Sequence, residues 1–213
     1  DLHFPALPPM TFDIRRGEIA FLRDENYNTG RRLHECFLGD RGWTSGFFRL
    51  NGRLYQPGDL GRVIGSEIGI QIERPDRPGG VLFDNMTALD NLCTSLIPKA
   101  GQHIIRKKIV SSILSEALRW FPKEMLLQPL SSWSYPERLR FSYYRWYLLN
   151  PRLLICFFPF AGQESTHHKM IIDLLVLCAQ RGMAVWIISS GIDAICEKTD
   201  NEEFLRRLHY LNK

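Results

Sequence analysis

The feature that most constrains the fold of this chain is a series of short, continuously apolar segments separated by segments with helical spacing. These segments are GEIAFLRD from Gly17, IGIQI at 68–72, RLLICFF at 152–158 and AVWIIS at 184–189. A strand that is apolar at every position is buried on both faces, as in parallel sheets covered by helices. The sequence therefore predicts an α/β fold with a mostly parallel sheet.

Two further regions interrupt this alternation. The segment SGFFRLNGRLY alternates around Asn51 and Gly52, which predicts a hairpin of two short strands. Between residues 86 and 121 the apolar spacing is helical, and Thr87 is placed to act as an N-cap. We therefore expect a small antiparallel region and a helical subdomain beside the parallel sheet.

Cysteine and histidine spacing predicts no metal site. The five cysteines are scattered without a C-x-x-C pair, and the adjacent His167 and His168 point in different directions on a helix. The formal net charge of +4 is dispersed, and no basic stripe with interleaved aromatic residues favours nucleic acid. The sequence shows no secretion signal and no run of about 20 apolar residues, so we expect a cytoplasmic protein with reduced thiols.

Four segments stand in the order of the landmarks of an ATP-binding cassette. The segment FDIRRGEIAFL resembles the strand before the phosphate loop, and VLFDNMTALDNL resembles the stretch after the glutamine loop. The segment LSSWSYPERLRFSYYRWYLLNPRLL resembles the signature helix and the strand that follows it. The segment WIISSGIDAICEKTD resembles the switch region. IERPDRPGGVLF, YYRWYLLNP and ISSG resemble the second cassette of ribose/galactose-type importers. The resemblance implies one cassette-type domain over 1–213, with its helical subdomain at about 86–150, and we expect it to be a fragment of a longer chain.

The segment that resembles the phosphate loop departs from the pattern G-x-x-x-x-G-K-S/T. In that pattern backbone amides wrap the phosphates, the lysine neutralises charge and the hydroxyl holds magnesium. The segment here is RDENYNTGRRL, in which Asp24 is expected to repel phosphate, and the first lysine of the chain is Lys99. Arg31 falls at the hydroxyl position, or at the lysine position after a shift of one residue. We predict degenerate phosphate-loop positions at Asn28, Thr29, Gly30, Arg31 and Arg32.

The resemblance also implies an aspartate for magnesium and a glutamate for the attacking water after the strand RLLICFF. Phe157 and Phe158 occupy these degenerate Walker B positions, and Glu164 lies too far along the chain to replace both acids. Neither aromatic side chain coordinates a hard cation or accepts a proton. We hypothesise that Phe157, Phe158 and Phe160 fill the nucleotide pocket as a hydrophobic plug.

The signature and switch positions differ as well. The signature motif LSGGQ of the family is replaced here by LSSWS. Ser131 keeps the serine of the motif, and Ser132 and Trp133 occupy its two glycine positions. Trp133 is therefore expected to crowd the nucleotide. The resemblance places Ser190 at the switch histidine and Glu73 at the glutamine-loop position. Serine and glutamate at these two positions also fit the second cassette of sugar importers.

Two groups of residues have alternative interpretations. Arg31 and Arg32 at a helix start either hold an anion together with the backbone amides, or are surface residues neutralised by Asp24 and Glu25. The aromatic helix FSYYRWYLL either packs into the core or stacks on nucleic acid bases, and its helical spacing favours packing.

From these departures we predict a catalytically inactive cassette, a pseudo-ATPase that acts through protein contacts in sugar transport or its regulation. On this view the chain is not an enzyme, it has no catalytic residue, no metal and no cofactor, and ATP is not expected to bind. The first alternative is a weakly active or ATP-binding ATPase subunit of a sugar importer, with Arg31 replacing the lysine and Glu164 the missing acids. The second alternative is the sensing module of a transcriptional or signalling regulator.

The resemblance also implies partners. We expect another cassette domain, as a homodimer or a tandem half, together with transporter membrane subunits or a fused regulatory domain, and we expect no nucleic acid. Membrane association would then come through the partner subunits.

Overall fold

A parallel sheet forms the centre of the structure, a computed structural model that describes residues 10–38, 47–73, 82–100, 107–162 and 164–211. The strands are β1 (Ile19–Arg23), β2 (Phe48–Leu50), β3 (Arg53–Tyr55), β4 (Ile68–Ile72), β5 (Leu153–Phe157), β6 (Ala184–Ser189) and β7 (Leu208–Tyr210). Within the described residues the central sheet has five strands in the order β4-β5-β6-β1-β7, and each neighbouring pair is parallel. The predicted α/β fold is confirmed.

The small antiparallel region is the hairpin of β2 and β3. Its turn has Asn51 at φ 50° and Gly52 at φ 80°. Two successive residues with positive φ are what the Asn-Gly sequence favours in a two-residue hairpin turn. The predicted hairpin is confirmed.

Helices cover both faces of the sheet. They are α1 (Asn28–Leu38), α2 (Ala88–Ala100), α3 (Lys107–Ala117), α4 (Lys123–Leu126), α5 (Tyr135–Leu149), α6 (Ser165–Gln180), α7 (Ile192–Cys196) and α8 (Glu202–Arg207). Two 3-10 helices lie at Pro57–Arg62 and Leu130–Ser132. The first of these two 3-10 helices begins at Pro57 and precedes β4. In the part of the chain that the structure describes, no helix has the length and apolar character needed to cross a bilayer.

Strand β1 divides its side chains between two apolar layers because successive residues of a strand point to opposite faces. Ile19 and Phe21 pack with residues of α5, α6 and α8. Ala20 and Leu22 pack with residues of α1 and the hairpin. The continuous apolar run therefore reflects burial on both faces, as its composition predicts.

Helix α5 joins the sheet to the other helices. It begins with a capping box, in which the Glu137 carboxylate accepts from the Ser134 amide at 2.8 Å, and it ends at Asn150 in the left-handed conformation. Phe141 and Tyr144 pack against α2, α3 and Phe121. The core-packing interpretation of this aromatic helix is confirmed, since Phe141 and Tyr144 are fully buried. The domain boundaries given above stay a prediction.

Candidate functional site

The candidate site lies at the edge of the sheet where the parallel strands end. The loop after β1 leads into α1, the loop after β6 begins at Ser190, and Phe158 directly follows β5. β1, β5 and β6 are neighbours in the sheet, so these three segments meet at one edge. In open α/β sheets, ligands bind outside the carboxyl ends of the strands.

The loop after β1 places a buried carboxylate at the start of α1. Asp24 is 2% exposed, and its two oxygens accept hydrogen bonds from the backbone amides of Thr29 at 3.2 Å and Gly30 at 2.7 Å. The Asp24 amide donates to the Ser189 carbonyl at 2.9 Å. These backbone donors lie at the positive end of the helix dipole, which favours a negative charge there.

Two aromatic rings cover this loop. An added Cβ at Gly30 would clash with the Phe158 ring, so the ring approaches the backbone of α1 more closely than any other residue type at position 30 would allow. Tyr27 packs on Phe158 with ring centroids 4.8 Å apart, and its hydroxyl lies 3.5 Å from Oγ of Ser190. Tyr27 and Phe158 both adopt positive φ, at 57° and 54°. Such backbone conformations are uncommon for bulky residues and are often found at functional sites.

The structure separates the three residues of the hypothesised hydrophobic plug. Phe157 is fully buried in the layer beneath the sheet edge, where its ring contacts His34 at a centroid distance of 5.2 Å. Phe160 packs in the opposite layer and against His168. Phe158 covers the loop and Phe160 lines the neighbouring cavity with Tyr27 and Ser190, whereas Phe157 lies in the layer below, and the plug hypothesis stays a prediction.

The predicted phosphate-loop positions lie together in the first two turns of α1. Asn28 and Arg31 are exposed, Arg32 is half-buried and Thr29 and Gly30 are buried. The backbone amides hold an anion here, and it is the carboxylate of Asp24. The expected neutralisation of the arginines by Asp24 and Glu25 is not what the structure shows, because Asp24 faces the backbone and Glu25 lies 3.7 Å from Arg23.

The predicted signature positions pack elsewhere, beside the helices α3 and α5. Ser131 and Ser132 are exposed, and Trp133 is 6% exposed. The Trp133 ring lies 5.5 Å from Phe121 and 5.3 Å from Phe141 between centroids. Trp133 therefore fills the core of this helical region, and the expectation that it crowds a nucleotide stays a prediction.

Glu73 and Glu164 occupy different environments. Glu73 is 3% exposed and accepts a hydrogen bond from Nε2 of Gln71 at 2.7 Å, and its amide donates to the Phe157 carbonyl. Glu164 is exposed and directly precedes α6. Among the residues that the structure describes, no group of three or more His, Cys, Asp or Glu side chains is arranged to hold a metal ion.

Two cavities flank the loop after β1. One, of about 630 Å³, is lined by residues that include Arg23, Asn28 and Tyr210. The other, of about 320 Å³, lies between Tyr27, Ser190 and the first turn of α6. The loop is therefore accessible from both sides, and Asp24 borders the larger cavity although it is only 2% exposed.

Comparison with known proteins finds relatives that are named as importer components. The chain is 25% identical over 194 residues to a putative ribose/galactose/methyl galactoside import ATP-binding protein of Pseudomonas syringae pv. tomato, covering 90% of this chain and 37% of that protein. It is 23% identical over 202 residues to the galactofuranose transporter ATP-binding protein of Escherichia coli (strain K12), covering 94% of this chain and 39% of that protein. The chain thus spans well under half the length of these relatives, and no family model matches it.

Solved structures of cassettes share the fold. cbiO1 from Clostridium perfringens, part of the ABC transporter complex cbiONQ, superposes with a TM-score of 0.71 at 20% identity, covering 97% of this chain and 78% of that chain. A dimeric ATP-binding cassette in a post-hydrolysis state with ADP and Pi superposes with a TM-score of 0.68 at 18% identity, covering 98% and 87%. At these identities the likeness shows the fold alone.

These comparisons correct one prediction made from the sequence. The prediction that the chain is not an enzyme is wrong, since the relatives that match 90% or more of it are named as ATP-binding proteins of transporters. That prediction depended on a few positions, among them Gly30, Phe157 and Phe158, whereas the similarity extends along nearly the whole chain. The roles of those single positions stay predictions. The chain has the fold of an ATP-binding-cassette ATPase domain and resembles the ATP-binding subunits of ribose and galactose importers.

Proposed function

We propose that this chain is an ATP-binding domain of a sugar-importer ATPase, and that it binds the phosphates of ATP at the start of α1. The observation that carries the proposal is the convergence of the Thr29 and Gly30 amides on one negatively charged group at the carboxyl edge of the sheet. Helix starts in this position are general binding sites for phosphate groups. The named function of the relatives supports ATP as the ligand.

Arginines supply the positive charge in this proposal. Arg31 lies on the first turn of α1 with its side chain exposed, and Arg32 follows it. A guanidinium group binds phosphate oxygens through two parallel hydrogen bonds and keeps its charge at all physiological pH values. Arg31 therefore takes the charge-neutralising role that lysine has in G-x-x-x-x-G-K-S/T loops.

The residues at the site do not fit a magnesium ion held by protein side chains. Among the described residues, the buried carboxylates at this edge of the sheet are Asp24, which accepts from two amides, and Glu73, which accepts from Gln71. Phe157 and Phe158 provide no oxygen ligand where β5 ends. Magnesium prefers one or two carboxylates together with phosphate oxygens and water.

The proposed partners are a second cassette domain and the membrane subunits of an importer. One solved cassette with this fold is a dimer, and another is part of a transporter complex. We place ATP hydrolysis in such a paired assembly, located in the cytoplasm and bound to the membrane through the partner subunits. The transported substrate is a sugar, as in the names of the relatives.

Calorimetric titration of ATP into the purified chain tests the proposal, with phosphate release measured in parallel. The informative variant is Arg31→Glu, which reverses the charge at the phosphate position. We expect the wild-type chain to bind ATP and the variant to bind at least about tenfold more weakly, because a charge-assisted contact is replaced by repulsion.

Arg15→Glu is the matched control. Arg15 precedes β1 at the opposite edge of the sheet, and its side chain is 80% exposed, so the same change of charge should leave the ATP affinity within about twofold. Absence of ATP binding by the wild-type chain would refute the proposal. Equal effects of the two variants would refute the position of the phosphates.

A further inference from the structure

Asp24 is a buried carboxylate, so its lost contacts with water must be replaced by other interactions. Removing a carboxylate from water is costly unless hydrogen bonds replace the lost hydration. Asp24 receives two such bonds, from the amides of Thr29 and Gly30, and only 2% of its surface is exposed. These amides are therefore already occupied in the structure.

The occupied amides are the donors that the proposed function needs. Both lie at the start of α1, an 11-residue helix whose dipole favours an anion at this end. A carboxylate that accepts from both amides leaves neither of them available to a phosphate oxygen. Its negative charge also repels a phosphate group within a few ångströms.

The aromatic rings hold this arrangement in place. Phe158 lies against Gly30, and Tyr27 lies against Phe158 with ring centroids 4.8 Å apart. The Asp24 amide is in turn bonded to Ser189 at the end of β6. Asp24 is therefore fixed from the side of the sheet, and the Phe158 ring lies against Gly30, whose amide donates to Asp24.

We propose that Asp24 is a built-in competitor of the nucleotide, an autoinhibitory group whose carboxylate must leave the Thr29 and Gly30 amides before phosphate binds. This inference rests on the proposed function, since it concerns the same site. It assigns to Asp24 control of nucleotide affinity: ATP binds only to the fraction of molecules in which the loop has opened, and the apparent affinity is reduced by that fraction.

Calorimetric titrations with ATP and with inorganic tripolyphosphate test this inference on Asp24→Ala, Asp24→Asn and the wild-type chain. Asp24→Ala frees both amides, and Asp24→Asn removes the charge while preserving the shape. We expect Asp24→Ala to bind both ligands at least about tenfold more tightly than the wild type, with a smaller gain for Asp24→Asn.

Glu25→Gln is the control, because it removes one negative charge from the neighbouring exposed position and leaves both amides occupied. Its affinity should stay within about twofold of the wild type. If folded Asp24→Ala and Asp24→Asn bind no more tightly than Glu25→Gln, the inference is wrong, whereas ATP binding by the wild type still supports the proposed function.

The remaining outcomes separate the two proposals. A gain in Asp24→Ala with no ATP binding by the wild type supports the competitor and refutes the proposed function. No binding by any variant refutes both. If neither Asp24 variant folds, amide resonances of the wild-type chain decide: tripolyphosphate should shift the Thr29 and Gly30 signals together with the Asp24 carboxyl carbon, and unchanged signals would overturn the inference.

Discussion

At the scale of single residues, Gly30 has the tightest surroundings in the candidate site. A Cβ added there would clash with the Phe158 ring and lie 3.2 Å from Oδ2 of Asp24. Phe158 is held by its neighbours, since its amide donates to the Ile188 carbonyl at 2.8 Å and Tyr27 packs on its ring. The absence of a side chain at position 30 is therefore a structural requirement.

We predict that Gly30→Ala lowers the free energy of unfolding by about 1 to 3 kcal/mol, because overpacking forces the Phe158 ring or the helix to move. Urea unfolding measures this change. Gly61→Ala is the matched control, since no atom lies within 4 Å of its added Cβ, and it should change stability by about 0.5 kcal/mol or less. Equal effects at the two glycines would show that Phe158 does not confine Gly30.

At the scale of secondary-structure elements, β4 and α5 are joined by one buried side chain. Gln71 is fully buried; its Nε2 donates to Glu73 at 2.7 Å and to Ser142 at 3.1 Å, and its Oε1 accepts from Nε1 of Trp146 at 2.7 Å. A buried network of this kind stabilises only while each member has a partner. Gln71 therefore fixes the position of α5 on the sheet.

We predict that Gln71→Ala lowers the free energy of unfolding by about 2 to 4 kcal/mol, because it leaves the Trp146 N–H group without its acceptor and creates a cavity. Gln180→Ala, at the exposed end of α6, is the control and should cost about 0.5 kcal/mol or less. Thermal unfolding followed by circular dichroism compares them. A loss at Gln71 no larger than at Gln180 would rule out this role for the network.

The elements that the sequence predicts well are those whose local pattern agrees with their burial. The strands β1, β4, β5 and β6 are mostly apolar on both faces, with Gln71 and Arg23 among the exceptions, and were predictable for that reason. Strand β7 was outside the predicted strands: its three residues include His209, and they form a strand by pairing with β1. Its existence depends on a tertiary contact that no local pattern contains.

The candidate site was less predictable than the fold. The repulsion of phosphate by Asp24 was an expectation from its charge, whereas its bonds to the Thr29 and Gly30 amides and the positive φ of Tyr27 in the same loop have no local sequence signal. That conformation accompanies packing on Phe158, which is distant in sequence. The burial of Trp133 was also unpredictable from its local sequence, since it depends on Phe121 and Phe141.

At the scale of the whole molecule, the layer between the sheet and the helices α5 and α6 contains titratable groups that are neutral in the folded state. Burial raises the pKa of the Cys178 thiol to about 12, and it raises the pKa of Cys156 and Tyr143 well above their ordinary values. All three side chains belong to one apolar cluster. Their ionisation is therefore coupled to opening of this layer.

This coupling predicts loss of stability at alkaline pH. The unfolded chain releases the Cys178 proton near the ordinary pKa of 9.0, and the folded chain only near 12, so the stabilisation is full below pH 9 and is lost as the pH rises towards 12. Each such thiol should lower the free energy of unfolding by about 1.4 kcal/mol per pH unit in that range. Urea unfolding between pH 8 and pH 11 measures the slope.

Cys178→Ala separates this thiol from the other titrating groups. The variant should be less stable below pH 9 because it leaves a small cavity, and its slope above pH 9 should be shallower than that of the wild type by about one proton, so the difference in stability narrows as the pH rises. Cys93→Ala is the control, because Cys93 is only half-buried and its removal should change the slope less. A Cys178→Ala variant with the wild-type slope would mean that the thiol ionises without unfolding, and hence that the layer between α6 and the sheet admits water in the folded state.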